Sequence, residues 1–265
     1  MSDEVYSHGH HRSVVGAHAT RRARDSAAYV LPHLEPGQHV LDVGCGPGSI
    51  TADFALLVAP GRVIGMDRSA DVVKLANETY TDTENLTFQT GNVYDLDFPD
   101  ESLDVIHAHQ VLQHLTDPVA ALREMRRVAR PGGIIAIRDA DFHGMTWYPP
   151  TAELDEWMDT YQQLARSNRA EPDAGRHLIA WAQEAGLTGI EPSSSNWLYA
   201  TDERRRWHAK VWSERVVHSA FAEQSLERGL ADQGQLERLA AGWLRWGEAP
   251  DGWFLIPCGE IIARV

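Results

Sequence analysis

The run His39-Val40-Leu41-Asp42-Val43-Gly44-Cys45-Gly46-Pro47-Gly48-Ser49 constrains this chain more than any other stretch. Val40, Leu41 and Val43 form a short apolar run of the kind buried on both faces of a parallel sheet. Three glycines at alternate positions follow. Glycine accepts left-handed backbone angles and lets the main chain approach a ligand closely. Ile50 to Val58 then reads as a helix whose unpaired N–H groups point back at the turn, with Ser49 placed to cap them. A strand passing through such a turn into a helix favours the negative group of a ligand.

Spacing separates the folds that use a turn of this kind. The dinucleotide fingerprint Gly-x-Gly-x-x-Gly needs a glycine where Ser49 stands. What is present is Asp42-x-Gly44-x-Gly46-x-Gly48, and it resembles motif I of the class I S-adenosylmethionine-dependent methyltransferases. In that family an acid precedes the glycine loop that holds the methionine part of the cofactor. The resemblance implies that Asp42, Gly44, Cys45, Gly46 and Gly48 serve the cofactor; a turn shaped only by packing is the alternative.

Pro60-Gly61 turns the chain into a second strand, Arg62 to Asp67, which ends in an acid. In a βαβ unit this puts the Asp67 carboxylate at the tip of the neighbouring strand, where its oxygens can accept bonds from both ribose hydroxyls. Arg68 beside it joins the candidates. The simpler reading is that Asp67 and Ser69 cap the helix Ala70 to Tyr80. A third strand, Leu86 to Gly91, runs into Asn92-Val93. The family commonly has an aspartate where Asn92 stands, accepting a bond from the adenine amino group; the Asn92 carbonyl can do the same with less charge assistance. Asp95 is a second candidate for that place.

The fourth strand, Leu103 to His109, puts His107 and His109 on one side by its alternation, opposite Ile106. His109 and Gln110, at its C-terminal end, are expected to face the cofactor and acceptor crevice. His114 follows one turn later, before a helix from Pro118 to Ala129. Arg130-Pro131-Gly132-Gly133 is a turn and Ile134 to Arg138 a fifth strand, whose end brings Asp141 and His143 to the same sheet edge. The pieces Leu41 to Gly48, Gly65-Met66-Asp67, Val111 to Pro118 and Val128 to Gly133 occur in order. Together they resemble the ubiquinone/menaquinone-biosynthesis type of small-molecule methyltransferase over about residues 38 to 140.

The expected fold is α/β: a Rossmann-like, doubly wound, seven-stranded sheet, mostly parallel, with an antiparallel last strand as the resemblance implies. Residues 1–35 form an N-terminal helical lid, with a helix from Arg21 to Leu34. Residues 36–142 form the cofactor-binding core, and 143–201 its remainder with substrate-side helices, Glu153 to Arg169 and Pro172 to Ala185. Residues 202–249 form a helical cap insertion, since so long a connection exceeds an ordinary one, and 250–265 the final strand. Thr188 to Tyr199 is the sixth strand; within the cap, Asp202 to Gly229 and Asp232 to Trp246 are helices. All nine tryptophans lie at or after Trp147, which points to a ring-packed cap or an aromatic acceptor pocket. Trp147-Tyr148, Trp207 and Trp212 are the candidates for ligand contact.

A formal charge of −14 argues against nucleic acid as a partner, because phosphate neutralisation needs a positive footprint. The two cysteines, Cys45 and Cys258, do not make a disulfide framework. No apolar run approaches a membrane span, and Met1-Ser2-Asp3-Glu4 lacks a signal peptide's apolar region, so a cytoplasmic protein without membrane insertion is expected. Self-association is left open. His8, His10, His11 and His18 cluster, yet no cysteine pair or His-Glu-x-x-His helix completes a metal site, and none is expected.

The implied reaction is transfer of the sulfonium methyl of S-adenosyl-L-methionine to a small, apolar or aromatic acceptor, quinone-like, terpenoid or another secondary metabolite, at carbon or oxygen. An oxygen acceptor gains from a general base. His143 and His109 are the candidates, with Tyr6 and His10 of the lid as further ones. Two other classes remain: a cofactor-binding protein without turnover, and a nicotinamide-dependent reductase. The second would resemble a Tyr-x-x-x-Lys pair, but Ala70 and Arg206 stand four places before Lys74 and Lys210.

Overall fold

The computed structural model describes residues 18–265. The strands are β1 (Val40–Val43), β2 (Val63–Asp67), β3 (Leu86–Thr90), β4 (Leu103–His109), β5 (Ala129–Ala140), β6 (Thr146–Tyr148), β7 (Thr188–Tyr199) and β8 (Trp253–Arg264). The first helices are α1 (Ser49–Val58), α2 (Ala70–Thr79) and α3 (Pro118–Val128); those of the second half are α4 (Ala152–Ser167), α5 (Leu178–Glu184), α6 (Asp202–His218), α7 (Ala220–Glu227) and α8 (Gln233–Gly247).

Strands β3, β2, β1, β4 and β5 lie side by side and parallel, β8 is antiparallel to β5, and β7 pairs with the other edge of β8. The sheet has eight strands rather than seven. The additional one, β6, pairs with Trp253 to Leu255 of β8 on the edge that β5 occupies further along, so it extends the line of β5 beyond a 3-10 turn at Phe142–Gly144. Strand β5 begins earlier than expected, at Ala129, and the register with β4 slips before Ile134. The intervening Arg130, Pro131 and Gly132 are exposed, which is how a Pro-Gly-Gly segment fits inside a strand.

Apolar side chains cover both sheet faces. Phe54, Val58, Val73 and Ala76 of α1 and α2 pack on one, and Leu122, Met125, Val128 and Ala182 of α3 and α5 on the other. Helix α3 starts where its sequence dictates, with Pro118 in the first turn and the Asp117 side chain accepting the Ala120 N–H at 2.8 Å. A third cluster joins α4, α6, α7 and α8 to the start of β8. Its centre is Trp157, whose ring meets Trp212 at 4.5 Å and Trp243 at 4.8 Å, both edge-on. Edge-to-face contact is the favoured aromatic geometry.

Several helices are shorter than their patterns suggest. In place of one helix from Arg21 to Leu34 there is a single turn, Ala23–Ser26, and a 3-10 turn, Leu31–His33, with Pro32 unable to continue a helix. The expected Pro172 to Ala185 helix is a 3-10 turn, Ala174–Arg176, followed by α5. The expected Asp202 to Gly229 helix breaks at Ser219, whose hydroxyl donates to Arg215 O at 2.7 Å and accepts from Phe221 N–H at 3.2 Å. A serine that caps the next helix ends the previous one.

Candidate functional site

At the end of β1 the chain enters the glycine turn, where Gly44, Gly46 and Gly48 all have positive φ, 66°, 55° and 85°. Two of them also lack room for a side chain. A Cβ on Gly44 would lie 2.4 Å from Val111 Cγ2, and one on Gly48 2.5 Å from the Phe88 ring. A Cβ on Gly46 would meet nothing within 4 Å, because that glycine faces open space. The capping role expected of Ser49 is not observed: Gly48 is the N-cap residue, and the Ser49 hydroxyl donates to His18 O at 3.4 Å. The first-turn N–H groups of α1 therefore gain no side-chain cap.

Asp42 is buried, and its two oxygens are engaged below the turn. One accepts from the Thr51 hydroxyl at 2.6 Å and the other lies 2.7 Å from His107 Nδ1. It ties β1 to α1 and β4. Asp67, at the tip of β2, accepts the Gly46 N–H at 3.1 Å on one oxygen and the Ser69 N–H at 3.0 Å on the other. Ser69 caps α2 through Val72 N–H. Asp67 thus shapes the glycine turn, and each carboxylate oxygen retains a lone pair for a ligand.

A cavity of about 380 Å³ opens over these groups. Of the twelve candidate cofactor residues, Asp42, Gly44, Cys45, Gly46, Asp67, Arg68, Asn92, Val93, His109, Gln110 and His114 line it. Gly48 does not; it is packed behind the turn. Asp95, the other adenine candidate, is exposed and away from the lining. Asn92 Oδ1 accepts the Tyr94 N–H at 3.1 Å.

A second cavity of about 450 Å³ adjoins the first. Its walls are the segment at Thr20 to Ser26, the end of β7 at Trp197 and Tyr199, and one side of α6. Four residues line both cavities: His18, Arg21, Gln110 and His114. Gln110 has φ 59°, its N–H donates to Arg138 O at 2.8 Å, and its Oε1 accepts from Gln113 Nε2 at 3.0 Å. A non-glycine residue held in the left-handed region marks a strained site fixed by its surroundings. The turn after it is anchored from below: Asp139, fully buried, accepts the Leu112 and Gln113 N–H groups, each at 3.3 Å.

Three of the histidines here are pushed toward the neutral form. Burial, then the charges of Arg21 and Arg138, push the His109 imidazole well below its ordinary range. Burial and Arg21 take His114 down to about 3. His208, in the second cavity, is lowered by burial and by Arg215 and Arg204. Neither ring nitrogen of His109 has a hydrogen-bond partner among the described residues. Its ring meets Trp197 edge-on at 5.4 Å, and Arg138, beside it on β5, lies 4.3 Å from the same indole centroid.

The remaining catalytic candidates are not brought to the cavities. His143 is exposed on the 3-10 turn after β5 and lines neither; its backbone N–H donates to Asp173 Oδ1. The turn leads the chain on into β6 along the line of β5 and leaves the His143 side chain exposed. Asp141 is committed to Arg176 at 2.5 Å. Tyr6 and His10 lie outside the described residues. Among the tryptophan candidates, Trp207 and Trp212 line the second cavity, whereas Trp147 stacks on Phe254 at 5.5 Å and, with Tyr148, lies away from it. His18, Arg21, Trp197, Tyr199, Arg204 and Arg215 were not foreseen. The α6 members could have been found as one stripe at helical spacing; the others meet only through tertiary packing.

The family model described as a methyltransferase domain matches residues 34–204. An uncharacterized methyltransferase of Schizosaccharomyces pombe is 36% identical over 271 residues, covering 98% of this chain and 96% of its own length. A ubiquinone/menaquinone biosynthesis C-methyltransferase of Vibrio vulnificus is 33% identical over 169 residues, 57% of this chain and 65% of its own. Among solved structures, a phosphoethanolamine N-methyltransferase of Haemonchus contortus in complex with phosphomonomethylethanolamine and S-adenosylhomocysteine matches with a TM-score of 0.56 at 20% identity. That match covers 89% of this chain and 51% of the other, and it is a likeness of fold.

Proposed function

The chain belongs to the methyltransferase-domain family of S-adenosylmethionine-dependent enzymes, and from that premise we propose that it methylates a small aromatic molecule held in the second cavity. The observation that carries this reading is the common wall: an aromatic-lined cavity adjoins the one over the glycine turn and shares four residues with it. A methyl donor in one then lies beside an acceptor in the other, which is the alignment a displacement needs.

The residues of the first cavity fit the cofactor. The turn offers an open glycine face at Gly46, and Asp67 offers lone pairs at a strand tip for ribose hydroxyls. Asn92 and Val93 are assigned to the adenine end. Bound there, the cofactor supplies an electrophilic methyl group on a sulfonium sulfur. The protein positions the acceptor, excludes water and, for an oxygen acceptor, removes a proton. His109, which lines the first cavity beside the shared Gln110, is the group proposed for that last task; its imidazole is neutral and can accept a proton, and burial makes it a weak base. His143 is not assigned to it, given its place outside both cavities.

Calorimetry with S-adenosylhomocysteine tests the cofactor site. Asp67→Ala is expected to weaken binding about 10- to 30-fold, the loss of a hydrogen-bonding carboxylate; unchanged affinity removes Asp67 from the ribose site. Release of S-adenosylhomocysteine from S-adenosylmethionine in the presence of catechol or hydroquinone acceptors tests transfer. Binding without release for any such acceptor would favour a non-catalytic cofactor-binding protein.

A further inference from the structure

Helix α6 lines the second cavity with Arg204, Trp207, His208, Val211, Trp212 and Arg215. Their separations of three, one, three, one and three residues make a single stripe along one side of the helix. The stripe is about 16 Å long at the helical rise. Its middle is aromatic and apolar, and each end carries a guanidinium. The sequence sets this helix firmly: Thr201 caps it, Asp202 and Glu203 stand in its first turn, and Arg215 in its last, each charge matched to the helix dipole.

Arg204 forms no ion pair among the described residues, and its guanidinium lies 5.3 Å from the Tyr199 ring centroid. Arg215 is buried, 5.1 Å from the Trp212 ring. Arg21, on the opposite wall, supplies a third guanidinium, 4.9 Å from the Trp197 ring. The lining acids are Asp25 and Glu203, and Asp25 already has Arg24 at 3.4 Å. With His114 and His208 neutral, the described lining is net positive in a protein of formal charge −14. A local charge opposite to the global one concentrates an oppositely charged ligand.

We propose that the second cavity selects aromatic acceptors bearing an oxyanion, a carboxylate, sulfonate or phosphate, with the rings along the α6 stripe and the oxyanion on Arg204. This deepens the methyltransferase reading and rests on it for the word acceptor. A guanidinium placed over a ring keeps its N–H edge for the forked recognition that oxyanions allow. Arg21 and Arg215 add to the positive field, and the rings of Trp207, Trp212 and Tyr199 provide the apolar contact.

The test uses two fluorescent probes with the same rings, anilinonaphthalene sulfonate and neutral N-phenylnaphthylamine, titrated into the full chain with and without S-adenosylhomocysteine. The sulfonate is expected to bind about tenfold more tightly, the margin of one charge-assisted contact. Arg204→Gln, at an exposed position that leaves the core untouched, should remove most of that margin and change neutral-probe affinity by less than about twofold. Equal binding of the two probes, a margin that survives Arg204→Gln, or binding of neither probe overturns the proposal. Because the margin is read without cofactor as well, failure to bind S-adenosylhomocysteine counts against the methyltransferase reading alone.

Discussion

The two cavities are made of different material. The first is built around main chain: Gly44 and Gly46 with positive φ, strand tips, and a carboxylate that accepts backbone N–H groups. The second is made of side chains contributed by α6, the end of β7 and the segment before β1. A site built from backbone tolerates little, because changing one residue changes the path of the chain. A site built from a helix stripe can exchange side chains while the helix stays where it is.

The sharpest test of this contrast lies at the seam. Burial raises the Asp139 carboxyl from its ordinary 3.8 to about 7. The unfolded chain therefore gives up this proton at lower pH than the folded one. The associated stability is complete below about pH 4 and is lost as pH rises through about 7. The loss is roughly 4 kcal/mol at about 1.4 kcal/mol per pH unit. Denaturation of wild type and Asp139→Asn across that range should show the difference between them changing with pH. Parallel curves would mean that Asp139 is not the buried anchor of the Leu112 to His114 turn.

Next in size is Gly44→Ala. It places a methyl group against Val111 and forces a left-handed angle on a residue that resists it. S-adenosylhomocysteine affinity should fall about a hundredfold, the equivalent of roughly 2.7 kcal/mol. An affinity within threefold of wild type would show that the turn adapts, and the contrast between a backbone site and a side-chain site would dissolve. The smallest effect is expected for His143→Ala. With that side chain outside both cavities, cofactor affinity and turnover should stay within about twofold, as for surface changes in general. A large fall in turnover at unchanged cofactor affinity would return His143 to the acceptor.

The same contrast explains what the sequence made legible. Asp42 through Gly48, Asp67 and Asn92 announce themselves locally, because glycine spacing and a strand-ending acid are features of consecutive residues. The succession of most strands and helices could be read for the same reason, each carrying its own period, whereas the antiparallel last strand came from the family resemblance. What stayed hidden depends on distant partners. Trp197 enters the cavity region because β7 pairs with β8 along most of its length. His143 stays outside it because a 3-10 turn and the unforeseen β6 continue the line of β5 at that point. The short helices before β1 escaped because the spacing of Ala23, Ala27, Val30, Leu31 and Leu34 suggested more helix than Pro32 allows.

The common wall of His18, Arg21, Gln110 and His114 has a consequence for how such an enzyme diversifies. With donor and acceptor placed as proposed, a change in any of the four is felt by both ligands at once, so the donor limits which changes are tolerated there. The far wall carries no such tie. On that placement, new acceptor preferences are free to accumulate along α6, whose lining residues border the second cavity and not the first.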